Sequence, residues 1–222
     1  MTKYIIFDSG PIINFAMNSL LPVLRKLKQE FKGEFIISKE VKQEVIDTPL
    51  NIKKYELEAL QIKQIFDEGI IKHANLTIEK VDELRIIREE IMNRANTTFF
   101  SKNHPIHLID KGESASLALS LMIKEPNVIA IDERTTRMLC ENPENLRKLL
   151  QKKLGTNITA NKKNYEFFKQ FRIIRSTELA YIAFNKGLID IKDKRTLEAL
   201  LYALKYHGCS ISEDEIEEAK AL

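Results

Sequence analysis

The sequence predicts a three-layer α/β/α fold with a central, mainly parallel sheet. Two observations predict it. Short apolar runs, typical of strands buried on both faces, alternate with longer stretches of helical spacing, and acidic residues directly follow several of the apolar runs. Such alternation is typical of a parallel sheet covered by helices on both sides. The 222 residues, 44% of them apolar and 30% charged, are enough for one domain with a sizeable core.

Three short strands and several helices are predicted in the first half of the chain. The strands are expected at residues 4–7, 35–37 and 70–73, where mainly apolar side chains follow one another. Helices are expected from residue 12 to about residue 27, after Ser38, over 52–66 and over 78–92, whereas residues 93–105 are predicted to be irregular. Ser38 is expected to cap the helix that Thr48–Pro49 ends.

The second half continues the alternation and adds an insertion. A helix is expected over 113–122, a strand over 128–131, helices after about 135 and around Pro143, a loop over 157–164, and a last strand over 171–174. Three helices follow, at about 176–184, 197–206 and 213–222, the first capped by Ser176 or Thr177 and the last by a Ser212–Glu215 capping box. We therefore predict one domain over 1–207, with a basic helical insertion at about 140–170, and an acidic C-terminal helix within 208–222.

Composition narrows the class of protein. The first predicted strand begins at Tyr4, so no signal peptide is expected, and no apolar run approaches membrane-spanning length. Cys140 and Cys209 are too few for a disulfide framework, which favours a reducing cytoplasm. The net charge of +3 is small, but residues 147–175 hold nine Lys or Arg and one acid. The sequence therefore predicts a cytoplasmic protein without a membrane segment.

Four acids lie where predicted strands or helices begin or end. They are Asp8, Glu44, Glu113 and Asp132, with Ser9, Asp110 and Glu133 as auxiliary candidates. Acids at the carboxyl edge of a parallel sheet stand where such folds build their sites, and converging carboxylates repel one another unless a divalent cation lies between them. Each acid also has a structural interpretation: a turn or cap for Asp8, an ion pair with a lysine such as Lys42 or with another neighbour for Glu44, a favourable first-turn charge for Glu113, and a cap for Asp132.

The acids and their surroundings resemble the PIN domain, a family of metal-dependent ribonucleases. The matching segments are residues 8–9, 38–45, 111–119 and 131–134, and the resemblance covers about residues 3–140 and 171–207. The last acid of the pattern aligns with Asp132 or Glu133, and Asp132 is favoured because it is the first residue after the strand. The insertion at 140–170 and the acidic C-terminal helix depart from the compact family pattern.

The resemblance implies a PIN-like fold, a cofactor and a reaction. Asp8, Glu44, Glu113 and Asp132 would bind Mg²⁺ or Mn²⁺, and the protein would be an endoribonuclease that hydrolyses single-stranded or structured RNA. A homodimer and an antitoxin-like protein partner are further implications, since many compact members are toxins of toxin–antitoxin pairs. The alternative is a catalytically silent PIN-like module that binds protein or RNA. Two other classes of protein are disfavoured. A haloacid-dehalogenase phosphatase needs a second Asp at the position of Gly10, and a dinucleotide-binding domain needs a G-x-G-x-x-G run, which does not follow the first strand.

The basic insertion supplies candidate RNA-binding residues. They are Lys152, Lys153, Lys162, Lys163, Tyr165 and Arg172. Cations interleaved with aromatic side chains are typical of surfaces that bind single-stranded nucleic acid. The alternative is a solvated basic helix whose aromatic side chains, Phe167, Phe168 and Phe171, pack inward.

Overall fold

The computed structural model describes residues 2–221, which contain eight strands and twelve α-helices. The strands are β1 (Tyr4–Phe7), β2 (Glu34–Ile37), β3 (Ile71–His73), β4 (Phe99–Ser101), β5 (His104–Pro105), β6 (Asn127–Ala130), β7 (Ile158–Ala160) and β8 (Ile173–Ile174). The helices are α1 (Ser9–Met17), α2 (Leu21–Glu30), α3 (Lys39–Lys42), α4 (Glu56–Asp67), α5 (Ile78–Asn96), α6 (Lys111–Met122), α7 (Arg134–Glu141), α8 (Pro143–Leu154), α9 (Lys163–Phe168), α10 (Ser176–Asn185), α11 (Thr196–Tyr206) and α12 (Glu213–Ala221).

A five-stranded parallel sheet forms the centre of the molecule, in the order β3-β2-β1-β6-β8. Successive side chains of a strand point to opposite faces. Ile5 and Phe7 therefore enter one core with α1, α2, α4, α10 and α11, whereas Ile6 enters another with α5–α9. Ile6 and Phe7 are fully buried, and each such burial stabilises the fold by about 1.5–3 kcal/mol. The predicted three-layer α/β/α class is confirmed.

The direction in which the sheet grows reverses beside β1. From β1 the chain adds β2 and then β3 on one side, and it adds β6 and then β8 on the other. In open α/β sheets such a reversal leaves a crevice at the carboxyl ends of the two strands that flank it. Here those strands are β1 and β6, and Asp8 and Asp132 follow them. The topology therefore brings the first and last of the four predicted acids to one crevice.

The prediction that residues 93–105 and 157–164 are irregular is wrong, because parts of both segments form a second sheet. The antiparallel order is β5-β4-β7, and it includes parts of residues 93–105 and 157–164. Lys102 and Asn103 adopt φ values of 49° and 67°, which closes a tight hairpin between β4 and β5. Phe99 and Ile158 are buried on this sheet. Both segments are rich in polar residues, so the apolar pattern that predicts a strand is weak there.

Most other elements lie where they were predicted, with shifted ends. α5 continues to Asn96 because Ile91 and Ala95 keep its apolar face buried, and α4 begins only at Glu56. The Ser38 cap and the Ser212–Glu215 capping box are confirmed. The prediction that Ser176 or Thr177 caps α10 is wrong, since Arg175 holds the cap position. No helix within residues 2–221 is both long and apolar enough to cross a membrane.

Candidate metal centre

Asp8 ends β1 and stands at the cap position of α1, but its carboxylate caps no helix amide. The side chain is 4% exposed, and its Oδ1 lies 3.5 Å from the hydroxyl oxygen of Ser116. Burial raises the pKa of Asp8 well above its ordinary value, and the charges of Glu113, Glu44 and Asp110 raise it further. Asp8 therefore holds the cap position that was one of its structural interpretations, but its carboxylate makes no cap hydrogen bond, and its burial needs another compensation.

Asp132 follows β6 and is held from two sides. Its Oδ1 accepts a hydrogen bond of 2.7 Å from the backbone amide of Ser176, at the start of α10. Its Oδ2 accepts one of 3.0 Å from Nδ2 of Asn14 on α1. Glu133, not Asp132, caps α7, through a hydrogen bond of 2.7 Å from the amide of Thr136. These bonds fix the Asp132 carboxylate and leave lone pairs on both oxygens.

Asn14 is a site residue that the sequence analysis missed. It is 1% exposed, and its amide also donates to the carbonyl oxygen of Leu204 over 3.1 Å. The signal that could have found it is a polar side chain between the buried residues Ile12 and Phe15 of an apolar helix. A buried amide in such a stripe needs hydrogen-bond partners, and Asp132 is the charged one.

Asp110 and Glu113 form a capping box at the start of α6. The Oδ1 of Asp110 accepts from the amides of Gly112 and Glu113, and Oε2 of Glu113 accepts from the amide of Asp110 over 2.9 Å. Oε1 of Glu113 accepts from the hydroxyl of Thr136 over 2.5 Å. Burial raises the pKa of Glu113 to about 7, although these hydrogen bonds lower it, and the charges of Asp110 and Glu133 add to the rise. Glu113 therefore has the structural role predicted for it in the first turn of α6, and a functional role would be additional.

Glu44 lies in a π-helical turn, Gln43–Asp47, that continues α3. The ion pair with Lys42 that was the alternative for Glu44 is wrong, because Lys42 pairs with Asp47 at 2.6 Å. Glu44 is exposed. Desolvation by the neighbouring protein atoms raises its pKa, a hydrogen bond from the hydroxyl of Ser9 lowers it, and the charge of Asp110 raises it.

Gly112 lets carboxylates from three elements approach one another. A Cβ atom at this position would lie 3.1 Å from Oε2 of Glu44, 3.6 Å from Oδ1 of Asp110 and 3.9 Å from Oδ1 of Asp8. The first of these distances is tighter than an ordinary contact. The glycine therefore makes room for the acids.

The acids line one cavity of about 280 Å³ at the carboxyl edge of the sheet. Its lining is Asp8, Ser9, Gly10, Glu44, Asp110, Glu113, Asp132, Glu133 and Gly208. Within residues 2–221, no Lys, Arg or His nitrogen forms an ion pair with any of these six carboxylates. Some acids elsewhere are paired, for example Glu215 with Arg175 at 2.9 Å. All four predicted acids and the three auxiliary residues thus meet in an uncompensated cluster.

The donors around the cavity are oxygens, the ligand type that hard divalent cations prefer. In the described chain, no three ligand-type side chains lie close enough together to hold one ion in their present positions. Mg²⁺ does not need three, because it is usually bound through one or two carboxylates with several waters retained. The donors are all oxygens, which suits Mg²⁺ or Mn²⁺ better than metals that favour sulfur or nitrogen. Asp8 accepts one side-chain hydrogen bond, from Ser116 at 3.5 Å, so its carboxylate keeps lone pairs for a ligand.

None of the predicted RNA-binding residues is in the lining of this cavity. Lys152 and Lys153 lie in the last turn of α8, Lys162 precedes α9 and Lys163 starts it, and all four are exposed. The Tyr165 ring packs against Phe99, and its hydroxyl donates to Glu144 over 3.3 Å. Phe168 and Phe171 are buried in the core, so the inward-packing alternative holds for them. Arg172 precedes β8, at the opposite edge of the parallel sheet from the acids.

Three exposed cations that the sequence analysis did not select lie on the acids' edge. Lys39, Lys111 and Arg134 are the first residues of α3, α6 and α7. Lys111 follows Asp110 directly, and Arg134 follows Glu133. We call these three residues the basic rim. Their common signal in the sequence is a cation one to five residues from a candidate acid, at the start of a predicted helix.

Comparisons of the chain with protein-family models, with curated proteins and with solved structures gave no match.

Proposed function

We propose that this protein is a Mg²⁺- or Mn²⁺-dependent ribonuclease of the PIN type. The observation that carries the proposal is the uncompensated cluster: four acids from four separate elements line one cavity, and three of them have raised pKa values. Burying carboxylates together without a counter-charge destabilises a fold, so a function that uses the cluster is expected. RNA as the substrate rests on the resemblance of the acid series to the PIN domain.

Asp8 and Asp132 are assigned as direct metal ligands, and Glu44 and Glu113 as direct or water-mediated ones. A bound divalent cation supplies a Lewis acid and lowers the pKa of a coordinated water. Asn14 and the amide of Ser176 orient Asp132, as hydrogen-bond donors behind a metal ligand do. Glu113, whose pKa of about 7 lies near neutral pH, is suited to accept a proton from an attacking water.

The basic rim supports a polyanionic substrate. An acidic cavity alone repels phosphate, so cations must flank it in any nuclease. Lys39, Lys111 and Arg134 are exposed around the cavity and, among the described residues, form no ion pair that would compete with phosphate. They are assigned to hold the phosphates on either side of the bond that is cut.

A second candidate is a catalytically silent module that binds RNA or protein. The observation that favours it is that Glu113 and Glu133 both cap helices, so part of the cluster has a structural use without metal. Asp8 distinguishes the two candidates, because its side chain caps no helix amide and its burial raises its pKa well above the ordinary value.

Cleavage of a labelled single-stranded RNA pool with Mg²⁺ or Mn²⁺ tests the proposal. Wild type is compared with Asp8→Asn and with Asp190→Asn, an exposed acid that pairs with Lys26 away from the cluster. We expect cleavage by wild type and Asp190→Asn, and its loss in Asp8→Asn and with a chelator. Equal cleavage by wild type and Asp8→Asn would contradict the proposal. RNA binding without cleavage by any of the three proteins would favour the silent module.

A further inference from the structure

A second cavity, of about 230 Å³, lies at the carboxyl ends of β2 and β3, on the same edge of the sheet as the acids. We call it the α5 cavity. Its lining is Ser38, Lys39, Glu40, His73, Ala74, Leu76, Val81, Asp82, Leu84, Arg85, Arg88 and Leu119. Glu40 lines the α5 cavity and Glu44 lines the acid cavity. Four residues of a helix advance by about 6 Å, so the two cavities are neighbours.

The α5 cavity has an apolar interior and a cationic mouth. Ala74, Leu84 and Leu119 are buried in its walls. Lys39, His73 and Arg85 are exposed around it, and the contact of Arg85 with Asp82, at 3.7 Å between exposed groups, holds Arg85 only weakly. This combination suits a flat, partly apolar group attached to an anion.

Two polar atoms of the lining residues have no hydrogen-bond partner. Arg88 and Glu40 form an ion pair through Nη1 and Oε1, but Nε of Arg88 and Oε2 of Glu40 are shielded from water and bond to nothing among the described residues. Such shielded, unpaired atoms destabilise a fold. Because both residues line the cavity, a bound group with a carbonyl acceptor and an N–H donor would pair with them.

We infer that the α5 cavity receives one unpaired nucleobase of the RNA whose backbone crosses the acid cavity. This inference rests on the proposed ribonuclease function. The volume is below the roughly 300–1,000 Å³ of pockets for whole small-molecule ligands, so it fits a single base and not a complete nucleotide. His73, Arg85 and Arg88 are side-chain types that stack on bases, and Lys39, which also lines the cavity, supplies a cation for a neighbouring phosphate. The preferred substrate is therefore single-stranded, because a paired base cannot enter.

A substitution at the mouth of the cavity tests the inference without disturbing the core. Val81 lines the α5 cavity and is 48% exposed, whereas Ile86 on the same helix is 63% exposed and does not line it. Val81→Trp and Ile86→Trp are compared in the Asp8→Asn background, which blocks cleavage. The probe is a short fluorescein-labelled RNA of mixed sequence, single-stranded or annealed to its complement, and the readout is fluorescence anisotropy.

We expect Val81→Trp to weaken binding of the single strand about tenfold, with Ile86→Trp within twofold of its parent and both variants equal on the duplex. Equal affinities of the two variants for the single strand would overturn the inference, and so would tighter binding of the duplex than of the single strand by the parent. Cleavage by otherwise wild-type protein is measured separately. If the wild type cleaves RNA and Val81→Trp does not change RNA binding, only the role of the α5 cavity is rejected. If Val81→Trp weakens RNA binding but the wild type cleaves no RNA, only the ribonuclease function is rejected.

Discussion

Asn14 donates a hydrogen bond from Nδ2 to Oδ2 of Asp132 over 3.0 Å, across 118 positions of the sequence. The bond joins the helix after β1 to the residue that follows β6, on the two sides of the crevice where the sheet order reverses. It therefore fixes the distance between the parts of the chain that carry Asp8 and Asp132. In metalloproteins, loss of a hydrogen bond behind a metal ligand typically costs about 10–100-fold in metal affinity.

Replacing Asn14 should weaken metal binding more than it unfolds the protein. Asn14→Ala leaves Oδ2 of Asp132 without its partner, so we expect a 10–100-fold loss of Mn²⁺ affinity by calorimetry. We also expect about 1–3 kcal/mol less unfolding free energy in urea. Asn51→Ala, at an exposed residue, is the matched control and should change neither quantity. Unchanged Mn²⁺ affinity in folded Asn14→Ala would show that Asn14 does not position Asp132.

Adding one methyl group at Gly112 should separate stability from metal binding. In a helix, Ala is favoured over Gly by about 0.5–1 kcal/mol, so the thermal midpoint of Gly112→Ala should not fall much. The new Cβ would stand 3.1 Å from Oε2 of Glu44 and displace that carboxylate, so Mn²⁺ affinity should fall about tenfold. Gly10→Ala is the control: it also alters the second residue of a helix after an acid, but its Cβ meets Asp132 Cβ at an ordinary 3.4 Å. Equal Mn²⁺ affinities of the two variants would contradict the packing argument.

Without metal, the protein should lose stability as the pH rises through the neutral range. Glu113 has a folded-state pKa of about 7 against an ordinary value of 4.5, so between these values the folded state binds more protons than the unfolded state. Its contribution is present at low pH and is lost progressively above about pH 4.5, by up to roughly 3 kcal/mol at pH 8. Burial raises the pKa values of Asp8 and Glu44 in the same direction.

Thermal melts in chelator between about pH 5 and pH 8 measure this loss. Glu113→Gln keeps acceptor and donor groups for Asp110 and Thr136, and its melting temperature should depend less on pH than that of wild type. Saturating Mn²⁺ should raise the melting temperature of wild type more at pH 8 than at pH 5, because a bound cation replaces the protons. A wild-type protein that becomes more stable as the pH rises in chelator would show that the acids are compensated by other groups.

The basic rim, and not the insertion, should dominate RNA binding at the acids. Lys111→Ala and Arg134→Ala, each in Asp8→Asn protein, should weaken binding of a short single-stranded RNA and lower the slope of log affinity against log salt by about one each. Lys152→Ala with Lys153→Ala removes two charges from the end of α8 and serves as the control. A larger effect of the control pair than of the rim variants would restore the insertion as the RNA-binding surface.

Sequence reasoning found the acids because their signal is local. Asp8 and Asp132 come directly after buried apolar runs, and a parallel sheet places such residues at one edge whatever the details of the fold. The contacts that hold them are long-range: Asn14, Ser176 and Gly208 reach the cavity only after the sheet has assembled. No periodicity links these residues in the sequence, so they could not be predicted.

The basic residues near the acids, in contrast, were not found from the sequence. Residues 147–175 attract attention by composition, but composition does not say which edge of a sheet a segment reaches. Arg172 precedes a strand and therefore lies at the amino edge, whereas Lys111 and Arg134 start helices and lie beside the acids. The short strands β4 and β7 were missed for a related reason. Both strands lie in segments rich in polar residues, where the apolar pattern is weak, and only the pairing between them makes the sheet.

Titration of the metal-free protein with Mn²⁺ in a calorimeter tests the central claim most directly, with wild type, Asp8→Asn and Asp190→Asn measured at one neutral pH. The account predicts saturable binding to wild type and Asp190→Asn, and affinity at least tenfold weaker for Asp8→Asn while its thermal unfolding stays cooperative. No binding to wild type, or equal binding to wild type and Asp8→Asn, would contradict the claim that the buried acids at the carboxyl edge of the sheet form a divalent cation site.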